Sequence, residues 1–440
     1  MPATTPTPGR WLALIEGFYG TPYRHEERLA LLRWMPSVGL TDYAYGPKDD
    51  AFHRESWRSP YPEEELAQLA DTVAVAADAG VRLTLSVSPG LDWRGEDDHP
   101  VLVAKLRQLY DLGVRQLGVY WDDVPPGGAD LGRSHGLGVA AAAAGLPDDV
   151  RWMTCGTDYA FDTVTAYLRA FADALPPGTP IAWTGPDITS PVVTAEVASR
   201  LAGELGHPLL LCDNWPVNDL GMSSQLHLGP APYREPALRD AVAGIGFNAM
   251  SLPLASRVAL ELGARHWLRP AEDREEAWRS VVSAYPGLLP LATACRSWVD
   301  EPGPAPELVR QLEAGLAGDD ALLGFLAAGC REGLDPAWEQ ELEPWLASWE
   351  AEARVLAWCV RACRGEEPGE GVDIGTDWLA LHRREAQVFG TRLAVYGLSF
   401  RLPAALGERL LPHPAAVVRG ENLTDLAVRR GLEQLHALRG

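Results

Sequence analysis

The residues best able to do chemistry are two adjacent aspartates. In GVYWDDVPPG (118–127) a run of strand-forming residues ends in Asp122 and Asp123, directly before a double proline. Two like charges side by side repel, so the pair needs either solvent or a purpose. Neighbouring residues on a regular strand point to opposite faces, so both carboxylates reach one site only if the strand ends between them. Pro125-Pro126 is the expected stop. Adjacent carboxyls are too close to flank a glycosidic bond as a separated acid and nucleophile. They suit a substrate-assisted route, in which one carboxylate orients and stabilises the substrate's own 2-acetamido nitrogen while the other protonates the leaving oxygen. Repulsion between the two helps to raise the pKa of the proton donor.

Position, not the dipeptide, singles out this pair. Asp-Asp occurs five times, at 49–50, 97–98, 122–123, 148–149 and 319–320. Only 122–123 and 49–50 end a clear apolar strand, and the other three sit in polar loops as solvated caps or turns. Over residues 11 to 268, short β-rich runs alternate with longer segments of helical period, which is the pattern of βα units around a parallel sheet. The strand candidates are 11–20, 42–50, 81–90, 115–123, 151–159, 180–188, 208–215 and 241–250. Segments 26–39 and 63–80 carry apolar residues at helical spacing, the second closing on Gly80. Eight such units in about 260 residues fit a (β/α)₈ TIM barrel, with active-site residues at the C-terminal ends of the strands. No GxGxxG follows the first strand and no GxxxxGK[ST] occurs.

Strand ends in such a barrel gather at one rim. Here they offer Glu16 to Gly20, Lys48, Ser88, Asp122-Asp123, Asp158-Tyr159, Trp183 to Gly185, Asp213-Asn214, Asp219 and Asn248. Carboxylates, amides, one lysine and aromatic faces suit a carbohydrate, whereas a phosphate site favours clustered arginines or glycine-rich turns. A metal site is not expected, since HEERL (25–29) lacks the second histidine of HExxH and no His/Asp/Glu cluster has ligand spacing. No cofactor is expected either.

Composition narrows the partners. The net charge of −22, from 38 basic and 60 acidic residues, leaves no electrostatic footprint for nucleic acid or an anionic membrane. The start MPATTPTPGR reads as a disordered N-terminus (1–10) without a signal-peptide pattern, and no apolar stretch approaches 18 residues. A cytoplasmic location follows as the expectation. The six cysteines show no CxxC spacing and read as reduced, buried thiols, and the sequon Asn422-Leu423-Thr424 reads as coincidence. Beyond about residue 285 strand signals vanish, and an all-α region (285–440) is expected as a helical bundle after the 11–270 barrel. Trp338, Leu342, Trp345, Trp349, Leu356 and Cys359 form one helix stripe, read as core packing ahead of a homodimer seam or an aromatic ligand row. A loop (365–377) and a further helix (WLALHRREAQVFG…) complete it.

Taken together, IEGFYGTPY (15–23), YGPKDDAFHRESWR (45–58), SPGLDW (88–93), WDDVP (121–125), CGTDY (155–159), AWTGP (182–186), CDNWPVND (212–219), LGP (228–230) and GFNAM (246–250) resemble glycoside hydrolase family 84. These are the β-N-acetylglucosaminidases that include protein O-GlcNAcases and relatives labelled hyaluronidases. The match spans roughly residues 11 to 267, in the family's order. The resemblance implies that Asp122 polarises the acetamido group and that Asp123 is general acid and then base, with an oxazoline between the two steps and net retention. It further implies that Gly17 (main chain), Lys48, Asn214, Asp219 and Asn248 bind sugar hydroxyls or the acetamide, and that Tyr159 contacts the reacting acetamido group. The substrate implied is an N-acetylglucosamine-bearing glycoside or glycoprotein. Two positions depart from the family pattern: Cys212 stands where a tryptophan is frequent, and Ala249 follows Asn248 where proline is usual. The first bears on the wall of the acetamide pocket. Other readings are a hyaluronan-degrading or other hexosaminidase, and a sugar-binding barrel without catalysis, although a lectin has no need of a proton donor.

Overall fold

The chain closes eight parallel strands into a barrel in the order β1 to β8: β1 (Trp11–Glu16), β2 (Asp42–Tyr45), β3 (Arg82–Val87), β4 (Gln116–Tyr120), β5 (Arg151–Cys155), β6 (Ile181–Trp183), β7 (Leu209–Asp213) and β8 (Gly244–Asn248). This (β/α)₈ architecture is seen in a computed structural model that describes residues 10–222, 225–295, 310–311, 313–315, 317–364 and 366. Closure is direct, with Ala13 opposite Asp42 on one side of β1 and Gly246 on the other. Each strand lies inside one of the eight expected runs, and every one is shorter than the run. The excess at each C-terminal end is loop, which is the part that faces the rim.

Helices fill the outer layer: α1 (His25–Trp34), α2 (Glu63–Asp78), α3 (His99–Asp111), α4 (Ala129–Gly145), α5 (Ala166–Ala174), α6 (Ala195–Leu205), the single turn α7 (Leu238–Ala241) and α8 (Pro253–Leu268). Gly80 stands just past α2 with φ 70°, the left-handed stop anticipated from its position. Strands buried on both faces explain the continuous apolar runs: five of the six β1 residues are buried. Inside the barrel, Trp11, Ala13, Met153 and Leu210 form a core against which Tyr120 and Cys212 pack.

Small residues make room for that filling. A Cβ on Gly118 would stand 2.8 Å from the Tyr120 ring, two residues along the same face. Gly118→Ala therefore overpacks the barrel, and urea unfolding should show a loss of about 1–3 kcal/mol. An unchanged midpoint would mean that the ring swings aside freely.

The described residues fall into two compact units. One is the barrel, residues 10–217 with Ala231–Glu272. The other joins Asn218–Pro230 to the described residues from Asp273 onward. The second unit holds the helices Arg274–Ser283, Leu289–Ala294, Ala321–Ala328 and Pro336–Cys363. In the last of these Leu342, Trp345 and Trp349 are buried, and the Trp349 ring meets Phe325 edge-on at 5.2 Å. This part of the anticipated stripe is core. The expected disorder of residues 1–9, the loop and helix after 366 and the sequon at 422–424 lie outside the described residues. No described helix is long and apolar enough to cross a membrane.

Candidate active site

Asp122 and Asp123 stand at the C-terminal mouth of the barrel, where β4 delivers them. The strand does not end between them, as the alternation argument required. It ends at Tyr120, and the prolines come later than the stop. Asp123 then adopts a left-handed backbone (φ 56°), one of two non-glycine residues with positive φ among those described. That turn brings both carboxylates to the same side, a conformation that costs energy and persists where surrounding contacts over-determine it. Those contacts are visible. Trp121 is fully buried, stacked on His135 of α4 with ring centroids 4.1 Å apart, and edge-on to Trp93 at 4.8 Å. Its main chain is tied to β5 by Trp121 N–H donating to the Cys155 carbonyl and by Thr157 Oγ1 donating to the Trp121 carbonyl, each at 2.9 Å. Arg54, itself 5% exposed, donates from Nη2 to the Asp123 carbonyl oxygen at 3.2 Å.

A cation sits between the two carboxylates. The Lys48 ammonium bonds directly to Asp122 Oδ2 and stands 3.8 Å from Asp123 Oδ2. The like-charge repulsion anticipated from sequence is thus compensated locally, and Lys48 pairs with Asp122, not with its neighbour Asp49. Burial pushes the Asp122 carboxyl up, but Lys48 first, then Arg54 and His53, outweigh it and hold its pKa below the usual carboxylate value. Burial works against the Lys48 charge as well, yet the two aspartates keep its pKa raised. Asp122 is therefore an anion at neutral pH. One of its oxygens is left over: Oδ1 is buried and has no hydrogen-bond partner among the described residues. An ionised, buried and unpaired acceptor is costly unless something else supplies a donor.

Asp123 is held by two phenols. Tyr159 donates to Oδ1 at 2.6 Å and Tyr19 to Oδ2 at 2.9 Å, while Arg54 Nη1 donates to the Tyr19 hydroxyl at 3.2 Å. Burial and the Asp123 charge raise both phenol pKa values, so both hydroxyls stay protonated donors. The resemblance led Tyr159 to be expected on the acetamido group; in the structure its hydroxyl lies on Asp123. Tyr19 enters the sequence pattern only within the rim run Glu16 to Gly20, and Arg54 only within the motif YGPKDDAFHRESWR, neither with a role of its own. Their side chains converge only through the β1 and β2 loops, which no spacing rule reveals.

Across the mouth, Asn248 at the end of β8 donates from Nδ2 to Asn214 Oδ1 at 3.0 Å, and Asn214 Nδ2 donates to the Ile188 carbonyl at 2.9 Å. Asn248 Oδ1 is a second buried acceptor without a partner. Gly17 runs beside it: a Cβ there would stand 3.3 Å from Asn248 Oδ1 and 3.0 Å from Ile15. Asp219 belongs to the segment Asn218–Pro230 of the second unit, where its carbonyl accepts from the Met222 N–H at 2.8 Å.

Other residues of the sequence-derived rim turn out to be structural. Glu16 is fully buried and accepts two hydrogen bonds from Arg28, at 2.8 and 2.9 Å, which ties β1 to α1. Asp213 is likewise clamped by Arg234, at 2.7 and 2.9 Å. Asp158 accepts from Thr165, the residue that caps α5. Asp50 accepts from the hydroxyls of Tyr45 and Tyr61 at 2.8 and 2.9 Å. The second strand-end Asp-Asp pair is thereby a turn support. Burial first of all pushes the Cys212 thiol up to about 12, so Cys212 is a neutral wall residue and no nucleophile. Among the described residues no group of three His, Cys, Asp or Glu side chains could hold a metal ion.

Known proteins with the same features are identifiable. The family model described as beta-N-acetylglucosaminidase matches residues 13–296, well over half of the chain. The chain is 28% identical over 251 residues to the protein O-GlcNAcases of Rattus norvegicus and Mus musculus, covering 53% of this chain. It spans only 27% of the length of these curated relatives. Among solved structures, a Thermobaculum terrenum O-GlcNAc hydrolase mutant superimposes with a TM-score of 0.76 at 25% identity, covering 97% of this chain and 94% of that one. CpGH84B shares the fold, with a TM-score of 0.73 at 22% identity over 96% of this chain and 76% of its own.

Proposed function

The chain belongs to the β-N-acetylglucosaminidase family, glycoside hydrolase family 84, and from that membership we propose that it is a retaining glycosidase removing terminal β-linked N-acetylglucosamine by substrate-assisted catalysis. The observation that carries the mechanism is the asymmetry of Asp122: Oδ2 is occupied by Lys48, and Oδ1 is buried and unpartnered. A substrate acetamide N–H is the donor that such an acceptor lacks. With that hydrogen bond made, the acetamide carbonyl oxygen attacks the anomeric carbon as the bond to the aglycone oxygen breaks. Asp123 delivers its proton to that oxygen. The positive charge that develops on the oxazoline nitrogen is stabilised by the Asp122 anion. Water then enters on the face the aglycone has left, Asp123 takes its proton, and the ring opens with net retention.

The remaining residues take supporting parts in this reading. Lys48 keeps Asp122 ionised. Tyr19, Tyr159 and Arg54 hold the Asp123 carboxylate over the aglycone side, and Gly17, Asn214 and Asn248 offer hydrogen bonds to the sugar, Asn248 Oδ1 being free to accept from a hydroxyl. Asp219 is assigned to sugar binding by the resemblance alone. The names of the rodent and Thermobaculum relatives favour serine- or threonine-linked N-acetylglucosamine as the natural substrate. We assign the chemistry to the barrel.

Hydrolysis of an aryl β-N-acetylglucosaminide beside the matching β-glucoside tests the proposal. Activity on the first alone is expected, since the glucoside carries no acetamide. Equal rates on both would sink the mechanism, and no activity on either would favour a binding barrel.

Lys48→Met has a consequence of definite sign. The depressed pKa of Asp122 depends on the Lys48 charge opposing burial, so removing the cation leaves burial dominant and raises that pKa. Activity that requires ionised Asp122 is lost as pH falls through this value. The acid limb of kcat/KM should therefore move to higher pH, by about 1–3 units. A limb that stays in place would mean that Lys48 is not what keeps Asp122 charged.

A further inference from the structure

The opposite end of the barrel carries a second cavity, of about 650 Å³, at the starts of β3, β4 and β5. Its size is that of a small-ligand site. Helices α2 and α3 each pack on β3, while α1 packs on α2 and α3 on α4, and the cavity opens along the C-terminal half of α2. Val73 and Ala76 of α2, with Val81 and Val114, supply an apolar wall. The first residues of three successive strands, Arg82, Gln116 and Arg151, supply a polar one, with Gln116 directly opposite Arg151 in the sheet register.

Three features separate this cavity from a mere crevice. Gln116 is 5% exposed as a residue, and its side-chain amide makes no hydrogen bond with any described residue, which leaves its polar atoms to the cavity. Arginines outnumber carboxylates in the lining: Arg82, Arg115 and Arg151 against Asp149 alone, in a chain whose net charge is −22. Two of those arginines are already engaged, Arg82 with Asp42 at 2.6 Å and Arg115 with Asp149 at 2.8 Å. Arg151 is solvent-exposed and has neither an ion pair nor a side-chain hydrogen bond among the described residues, so one guanidinium and one amide line the same open space beside an apolar wall.

The geometry points to a binding site for a small organic anion with an apolar body, the carboxylate, sulfonate or phosphate group seated on Arg151 and Gln116 and the body against α2. Two oxygens of such an anion meet the guanidinium fork in two parallel hydrogen bonds, and the Gln116 amide supplies a further donor. This site is separate from the paired aspartates. Tyr120, where β4 ends short of Asp122, already lies four residues beyond Gln116, roughly 13 Å along the strand direction.

Titration of the full chain with 8-anilinonaphthalene-1-sulfonate, read by fluorescence, tests the site. Expected is a single saturable class of binding that Arg151→Gln weakens by about tenfold or more, the loss of one charge-assisted pair. Arg200→Gln, on α6, leaves it unchanged. Neutral N-phenyl-1-naphthylamine binds at least about tenfold more weakly than the sulfonate, for the same reason. Ala77→Trp, at an exposed position lining the cavity, abolishes binding by filling it. No saturable binding, equal losses in Arg151→Gln and Arg200→Gln, equal affinity for the neutral probe, or full binding in Ala77→Trp would each overturn the proposal. Arylglycoside hydrolysis measured in the same variants stays at the parent rate, so the two assignments fail independently.

Discussion

Asp122→Asn slows hydrolysis of aryl β-N-acetylglucosaminides with good and poor leaving groups alike, by about 10²–10³-fold in kcat/KM. The amide is nearly isosteric, so the loss reports charge. Both the closing and the opening of the oxazoline place positive charge on the acetamido nitrogen, and the stabilisation that Asp122 gives that charge is the same whatever the aglycone. The substitution also deprives Lys48 of its closest anion while that ammonium remains 8% exposed. A buried charge without its partner destabilises the fold. Thermal unfolding of the variant separates the two effects: a folded Asp122→Asn protein with the full kinetic loss supports the electrostatic role. A loss confined to substrates with poor leaving groups would instead make Asp122 the proton donor and exchange the roles of the two aspartates.

Asp123→Asn produces the complementary pattern. Substrates whose aglycone is a poor leaving group need the proton, and their kcat/KM falls by about 10²–10⁴-fold. A strongly activated aglycone departs without assistance, so its kcat/KM stays near the parent value. Its kcat still declines, because opening of the oxazoline by water has lost its base. A steep leaving-group dependence that is shallow in the parent protein is the signature to look for. Equal loss across the series would count against acid catalysis by Asp123. One of the two tyrosines can still donate to the amide oxygen while the other hydroxyl accepts from the amide NH2, so gross displacement of the loop is not the expected cause.

Much of this site was legible before the structure, and the reasons are physical. Eight apolar runs with helical segments between them admit few closed arrangements, and the C-terminal ends of parallel strands converge. The adjacency of Asp122 and Asp123 was therefore already a statement about space. What the pattern could not supply was side-chain direction past the last ladder bond. Asp123 turns through a left-handed backbone conformation that aspartate tolerates better than most residues but that the prolines did not announce. Glu16, Asp158 and Asp213 looked equivalent to the proposed catalytic pair as strand-end acids. Their partners Arg28, Thr165 and Arg234 lie 12, 7 and 21 residues away, on separate elements. Buried Arg28 and Arg234 and the cap hydroxyl of Thr165 occupy these rim carboxylates, and that pairing is a property of the packed structure. Arg54 illustrates the converse, since it reaches Asp123 across 69 residues of sequence.

The claim beneath all of these results is that the nucleophile is the substrate's own amide oxygen, presented by Asp122. The most direct measurement is kcat/KM for a series of aryl glycosides in which the N-acetyl group carries zero, one, two and three fluorines. Fluorine withdraws electron density from the carbonyl oxygen while changing the aglycone not at all. The account predicts a steep, progressive fall in rate with each fluorine. A flat series, with rate indifferent to the basicity of that oxygen, would contradict it and require a nucleophile from the protein.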